Sequence, residues 1–232
     1  MAKAKHIGIV GCSAEGAALC YRTVCVEGEQ MMGKHAHPEV SMHTHSLAEY
    51  MNCIYRNDWQ GVADLMLSSA EKLAKCGADF LICPDNTIHQ AMPMVAPRSP
   101  LPWIHIAGAV AEEAAARGFR QLGITGTKYL VESGVYPQEL EKSEIGWLRP
   151  LEDERERINA IIFDELVRGK FSAEALSYFQ QVIEGLKRRG CDAVVLGCTE
   201  IPLLVNDGNS PLPVLDSTRL LARAALRQAV QG

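Results

Sequence analysis

Part of this 232-residue chain occurs twice, and the repetition limits its fold more than any other feature. Gly77-Ala78-Asp79-Phe80-Leu81-Ile82-Cys83-Pro84-Asp85-Asn86-Thr87 aligns without a gap on Gly190-Cys191-Asp192-Ala193-Val194-Val195-Leu196-Gly197-Cys198-Thr199-Glu200. Each copy reads Gly-x-Asp, a buried apolar run, then a polar turn, and each follows a segment of helical period. A second echo pairs Gly8-Ile9-Val10-Gly11 with Gly123-Ile124-Thr125-Gly126 at nearly the same offset. Two homologous halves follow. Each opens with a strand and a glycine turn and later presents a strand with a reactive tip.

Short apolar runs alternate with longer amphipathic stretches, the pattern of βα units around a mostly parallel sheet. Strands are predicted at 6–10, 39–43, 79–83, 103–106, 121–125, 145–149, 193–196 and 214–215. A helix after Asp58 puts Val62, Leu65, Met66, Ser69 and Leu73 on one face and ends near Gly77. Another after Ser172 buries Leu176, Phe179, Val182, Ile183 and Leu186 and stops at Gly190, a residue suited to the position after a helix.

With 47% hydrophobic and 22% charged residues the chain is neither disordered nor fibrous. A net charge of −5 leaves no basic surplus for a phosphate backbone, so no nucleic-acid partner is expected. The apolar run near the N-terminus is too short for a signal sequence or a membrane span, which points to the cytoplasm and away from membranes. The eight cysteines read as reduced thiols and no CxxC pair is present, so no metal site is expected.

Cys198 follows a buried strand at the edge of a turn, where free backbone N–H groups favour the reactive thiolate. The other seven cysteines read as small buried hydrophobes. Asp85 is either a helix cap or, by its register with Cys198, an acid/base group. If the halves face each other across a pseudo-twofold axis, Asp85 and Cys198 stand on opposite walls of one cleft. Arg155 and Arg157 read first as surface ion pairs and second as carboxylate ligands. His35, His37, His43 and His45 lack a nearby carboxylate or thiol and read as surface or loop residues. The Gly8–Ser13 turn lacks either nucleotide-binding glycine pattern, and G-x-S-x-G is absent.

Taken together, these segments resemble the aspartate/glutamate racemase superfamily, specifically its amino-acid racemase branch. The likeness runs nearly end to end: Gly8–Gly11 with Ser13 and Glu15, Asp85-Asn86-Thr87-Ile88-His89, Gly126-Thr127-Lys128-Tyr129, Asp153–Asn159, Gly197-Cys198-Thr199-Glu200-Ile201 and Pro213–Asp216. The resemblance implies two pseudo-symmetric α/β domains, each with a mostly parallel four-stranded sheet flanked by helices, and an active site in the cleft between them. The domains are expected to cover 1–101 with 212–232, and 102–211. It further implies a homodimer without metal or pyridoxal cofactor, acting on a small-molecule amino acid. In such enzymes two cysteines flank the substrate α-carbon. The second falls on Cys198; the first position is Asp85 here, and Cys83 is not a substitute. Leu130 stands where relatives often carry a polar residue. Ser13, Asn86, Thr87, Thr127, Arg155, Arg157, Thr199 and Glu200 are the expected substrate-binding residues.

The leading expectation is a cofactor-independent racemase that removes and returns a proton at Cα. A carboxylate is a far weaker base than a thiolate, so the two directions would be unequal. Two alternatives keep the fold: a one-cysteine lyase or decarboxylase, and a degenerate racemase that binds an amino acid without turnover.

Overall fold

A computed structural model describes residues 4–231. Strands β1 (Ile7–Gly11), β2 (Val40–Thr44), β3 (Phe80–Ile82) and β4 (Trp103–Ile104) form a parallel sheet in the order β2-β1-β3-β4. Strands β5 (Gln121–Thr125), β6 (Gly146–Leu148), β7 (Ala193–Leu196) and β8 (Val214–Asp216) form another, also parallel, in the order β6-β5-β7-β8. Each strand lies on a predicted run, with ends shifted by no more than one or two residues. The two orders are the same order. Register agrees as well, since Ile9 sits opposite Ile82 and Ile124 opposite Val195, and the sequence echoes equate these same residues.

Helices α1 (Ala14–Met32), α2 (Leu47–Tyr55), α3 (Trp59–Lys75) and the short α4 (Met92–Val95) accompany the first sheet. They are followed by α5 (Ile106–Ala116), α6 (Lys128–Val131), α7 (Val135–Glu141), α8 (Glu152–Asp164), α9 (Ala173–Arg188) and α10 (Ser217–Gln231). Polar caps start the longer ones: the Asp58 carboxylate accepts the Gly61 N–H at 2.9 Å, and the Ser172 hydroxyl accepts the Ala175 N–H at 3.1 Å. In α3 the buried face is Val62, Ala63, Met66, Leu67, Ser69, Ala70 and Leu73. Leu65, expected there, is half-buried at its margin. In α9 it is Ala175, Phe179, Val182, Ile183 and Leu186, packed with Ile158, Ile161 and Ile162 of α8 over Val194 and Leu196. Full burial of Phe179 or Ile183 contributes roughly 1.5–3 kcal/mol each, so truncating either would weaken the second sheet's cover.

The repeated Gly-x-Asp is a structural clip. Gly77 and Gly190 take φ of +87° and +96°, turning the chain out of α3 and α9 into β3 and β7 where a side chain would be strained. Two residues on, the Asp79 carboxylate accepts the His6 N–H at 2.6 Å, while Asp192 accepts the Arg120 and Gln121 N–H groups at 2.7 and 3.1 Å. In both halves the aspartate thus ties the start of one central strand to the start of its neighbour.

The chain divides into two compact units, one running to Ile106 and resuming at Thr218, the other spanning Ala107–Ser217. These limits lie a few residues beyond the boundaries expected at 101/102 and 211/212. Trp103–Ile104 pairs with β3 and therefore stays with the first unit, and Val214–Asp216 pairs with β7 and stays with the second. Hydrogen bonding, which apolar patterning does not reveal, decides both. Among the described residues no helix is long and apolar enough to cross a membrane.

Candidate active site

In the first unit β1 and β3 are neighbours, so their carboxyl ends lie side by side. Past Gly11 come Cys12 and then Ser13, whose hydroxyl caps α1 by accepting the Gly16 N–H at 3.2 Å. Past Ile82 the chain runs through Cys83 and Pro84 to Asp85, whose Oδ1 accepts the Ile88 N–H at 3.2 Å. The cap expected as one role of Asp85 is therefore present. A second feature was not foreseen: the buried Cys12 thiol at the tip of the neighbouring strand lies within the electrostatic reach of Asp85. Burial, then the Asp85 charge, push the Cys12 thiol well up, so it stays protonated. Burial and the Asp85 charge do the same to Cys83, which is fully buried and remains no candidate for proton transfer. Asn86 is buried and Thr87 half-buried in the turn that follows.

His89 fixes that turn from below. Its Nε2 lies 3.1 Å from the Cys83 carbonyl, and burial, with His105 stacked edge-on at 4.5 Å, holds the imidazole well below its usual range. The ring is neutral, and since a carbonyl only accepts, Nε2 carries the hydrogen. In the unfolded chain the same ring protonates near pH 6.5. Its contribution to stability is complete above that pH and declines as pH falls below it. Thermal melts should therefore show the wild type losing more Tm between pH 7 and about 5 than His89→Gln does; equal slopes would refute the assignment.

In the second unit the Gly197 N–H donates to the Thr125 carbonyl at 2.9 Å and closes the tips of β5 and β7 together. Thr127 caps α6 and is buried, and the following Lys128 N–H donates to Asn159 Oδ1 on α8 at 3.1 Å. Cys198 is partly exposed, whereas Thr199 and Glu200 beside it are buried. The Cys198 thiol donates to Glu200 Oε2 at 2.9 Å, and the Thr199 hydroxyl donates to the same oxygen at 2.8 Å. An accessible thiol is thus held against a buried carboxylate. Glu200, expected to bind substrate, accepts both of these bonds through Oε2.

The two arginines separate. Arg155 lies one turn before Asn159 on the face that meets α6; its Nε is 3.4 Å from Glu132, and its guanidinium donates to the Pro150 carbonyl at 3.0 Å. Arg157, two residues along and so turned away by about 200°, is exposed and faces Tyr178 of α9. One helix face cannot offer both to one ligand. Two of the four histidines are not free surface groups: His43 and His45 pack edge-on at 4.9 Å and reach Ser69 and Ser68 of α3 at 3.0 and 3.2 Å. No group of three or more His, Cys, Asp or Glu that could hold a metal occurs among the described residues.

Residues 7–225 match the family described as Asp/Glu/Hydantoin racemase. The chain belongs to that family. Among solved structures it is similar to a candidate Asp/Glu racemase from Yersinia pestis, with 31% identity, a TM-score of 0.91 and coverage of 98% of this chain and 100% of that one. It is also similar to an aspartate racemase homologue from Pyrococcus horikoshii OT3, with 27% identity, a TM-score of 0.85 and coverage of 97% and 99%. A glutamate racemase of Thermus thermophilus is 32% identical over 116 residues, a stretch that spans 49% of this chain and 41% of that enzyme. Within this racemase family member, Cys12 is a neighbour of the Asp85 turn that sequence reasoning missed. Its signal lay in the second echo, which equates Cys12 with Thr127 and so places it at the tip beside Asp85, as Thr127 stands at the tip beside Cys198.

Proposed function

We propose that this family member racemises an amino acid without a cofactor, by removing a proton from the α-carbon and returning one to the opposite face. The observation that carries the reading is the partly exposed Cys198 thiol at the tip of β7, held at 2.9 Å by a buried carboxylate. Cys198 is the acid/base group on one side of the substrate and Asp85 the group on the other. Ser13, Asn86, Thr87, Thr127 and Thr199 supply donors for the α-carboxylate. An acidic side chain is met by Arg155, whose long contact to the exposed Glu132 exchanges for a substrate carboxylate. Arg157 takes no part, because its helix position turns it away. The proposed enzyme is a cytoplasmic homodimer needing no metal or pyridoxal phosphate.

Single enantiomers of aspartate, glutamate and other amino acids, incubated in D₂O, are expected to lose optical activity and take up α-deuterium, with chelator present or absent. Asp85→Cys, which gives the site two thiols, is expected to raise the rate for the preferred substrate. Neither isotope uptake nor loss of chirality for any amino acid would overturn the reading. A product of changed mass would assign the one-cysteine lyase instead, and tight binding without exchange would assign a binding protein.

A further inference from the structure

We propose that Asn159 is a positioning residue: by tying the start of α6 to α8 it sets how far the Thr127 turn stands from Arg155, and so which acidic amino acid fits. The proposal rests on the reading in which Thr127 meets the substrate α-carboxylate and Arg155 its side-chain carboxylate. Helix α6, Lys128–Val131, is a single turn, far too short to hold its shape by its own hydrogen bonds. Its place is decided by what it touches. On one side Leu130 is buried against the tips of β5 and β7, where a Cβ at Gly126 or Gly197 would stand 3.0 or 2.5 Å from its Cδ2. On the other side stands α8.

Polar contacts of unequal strength join the two helices. The Lys128 N–H donates to Asn159 Oδ1 at 3.1 Å, Lys128 Nζ lies 3.5 Å from Glu156 Oε1, and Glu132, the residue after α6, lies 3.4 Å from Arg155 Nε. Lys128 and Glu156 both reach solvent, where an ion pair fixes little. The Arg155–Glu132 contact is long, and it is the one that a substrate carboxylate displaces in the proposed function. Of these, the Asn159 bond alone holds the backbone of α6, and it outlasts the arrival of substrate.

Helix α8 is a firm base for that bond. Its Ile158, Ile161 and Ile162 are buried with α9 over Val194 and Leu196 of β7, a different face from the one that carries Arg155 and Asn159. Arg155 and Asn159 are four residues apart, so they stand one above the other with about 6 Å between them along the axis. The turn that bears Thr127 is thereby registered to the helix that bears Arg155. Aspartate and glutamate differ by one methylene between their carboxylates. A spacing held in place tells them apart, and a spacing free to drift accepts either. Asn159 exchanges no proton in this role.

Two measurements that need no turnover test it. Hydrogen–deuterium exchange of the Lys128 amide, followed by NMR in the substrate-free protein, is expected to speed up about tenfold in Asn159→Ala, which keeps α8 helical. In Asn159→Asp, which keeps an acceptor, it is expected to stay near the wild-type rate. Calorimetry with succinate and glutarate, four- and five-carbon dicarboxylates, is expected to show the wild type preferring one by about tenfold, and Asn159→Ala losing most of that preference by binding the favoured one more weakly. In turnover the same variant is expected to raise KM for the preferred acidic amino acid about tenfold while kcat changes by less than about threefold. Unchanged Lys128 exchange in Asn159→Ala, Asn159→Asp exchanging like Asn159→Ala, equal losses for the two dicarboxylates, or a wild type that binds neither would overturn the proposal. A wild type that binds and discriminates the dicarboxylates but exchanges no α-proton would remove the racemase reading and leave the role of Asn159 standing.

Discussion

Cys198→Ala and Cys198→Ser are both expected to lower α-deuterium uptake by roughly a thousandfold or more, within the range that a positioned proton-transfer group supplies. A loss of that size is about 4 kcal/mol of transition-state stabilisation. The serine variant decides the cause. Its hydroxyl can still donate to Glu200, so the hydrogen bond now measured at 2.9 Å survives in kind, and Thr199 keeps its own bond to the same oxygen. What serine lacks is acidity, because an alcohol gives up its proton far less readily than a thiol. Exchange measured by NMR alongside circular dichroism of both variants separates chemistry from folding. A serine variant with wild-type exchange would show that Cys198 orients substrate and carries no proton.

Gly197→Ala is expected to remove exchange as completely while also lowering stability. A Cβ placed at residue 197 would stand 2.6 Å from the Thr125 carbonyl oxygen and 2.5 Å from Leu130 Cδ2. Leucine can rotate away. The carbonyl cannot, because it accepts the Gly197 N–H and is held in the β5·β7 pairing. The strand tip must therefore open, at a cost of about 1–3 kcal/mol typical of overpacking, with roughly 2–4 °C of Tm lost per kcal/mol in a chain of this size. Cys198, one residue on, moves with it. Differential scanning calorimetry and the D₂O assay together check this, and an alanine variant with native Tm and native exchange would mean the tip accommodates a side chain without displacing the thiol.

Much of this was legible in the chain because burial writes itself into local composition. The run Ala193–Leu196 is fully buried and uniformly apolar, and the 3.6-residue period of α9 marks the face that covers it. The repeat carried more, since it equated Asp85 with Cys198 before any coordinates did. Long-range polar pairing was not legible. Asp79 and Asp192 read only as part of a strand entry, yet they act on His6 and on Arg120 and Gln121 some seventy residues away. Cys12 read as a buried hydrophobe and is one, but the sequence did not show that it lies near Asp85, which follows the neighbouring strand. Arg155 and Arg157 could have been separated earlier, because two residues on a helix point to nearly opposite sides.

The order of synthesis follows from the way the units divide. Ala107–Ser217 is continuous, so the second unit is fully specified while the first still lacks everything from Thr218 onward. The missing piece is α10, with Leu221 and Leu226 buried in the finished protein. It also provides the Ala229 carbonyl that accepts the Lys5 N–H at 2.9 Å, joining the last helix to the segment before β1. On the ribosome, where domains form as units while the chain emerges, the half that begins first is the one that must finish last. The apolar seat of α10 stays open to chaperones for as long as the intervening 107–217 segment takes to appear.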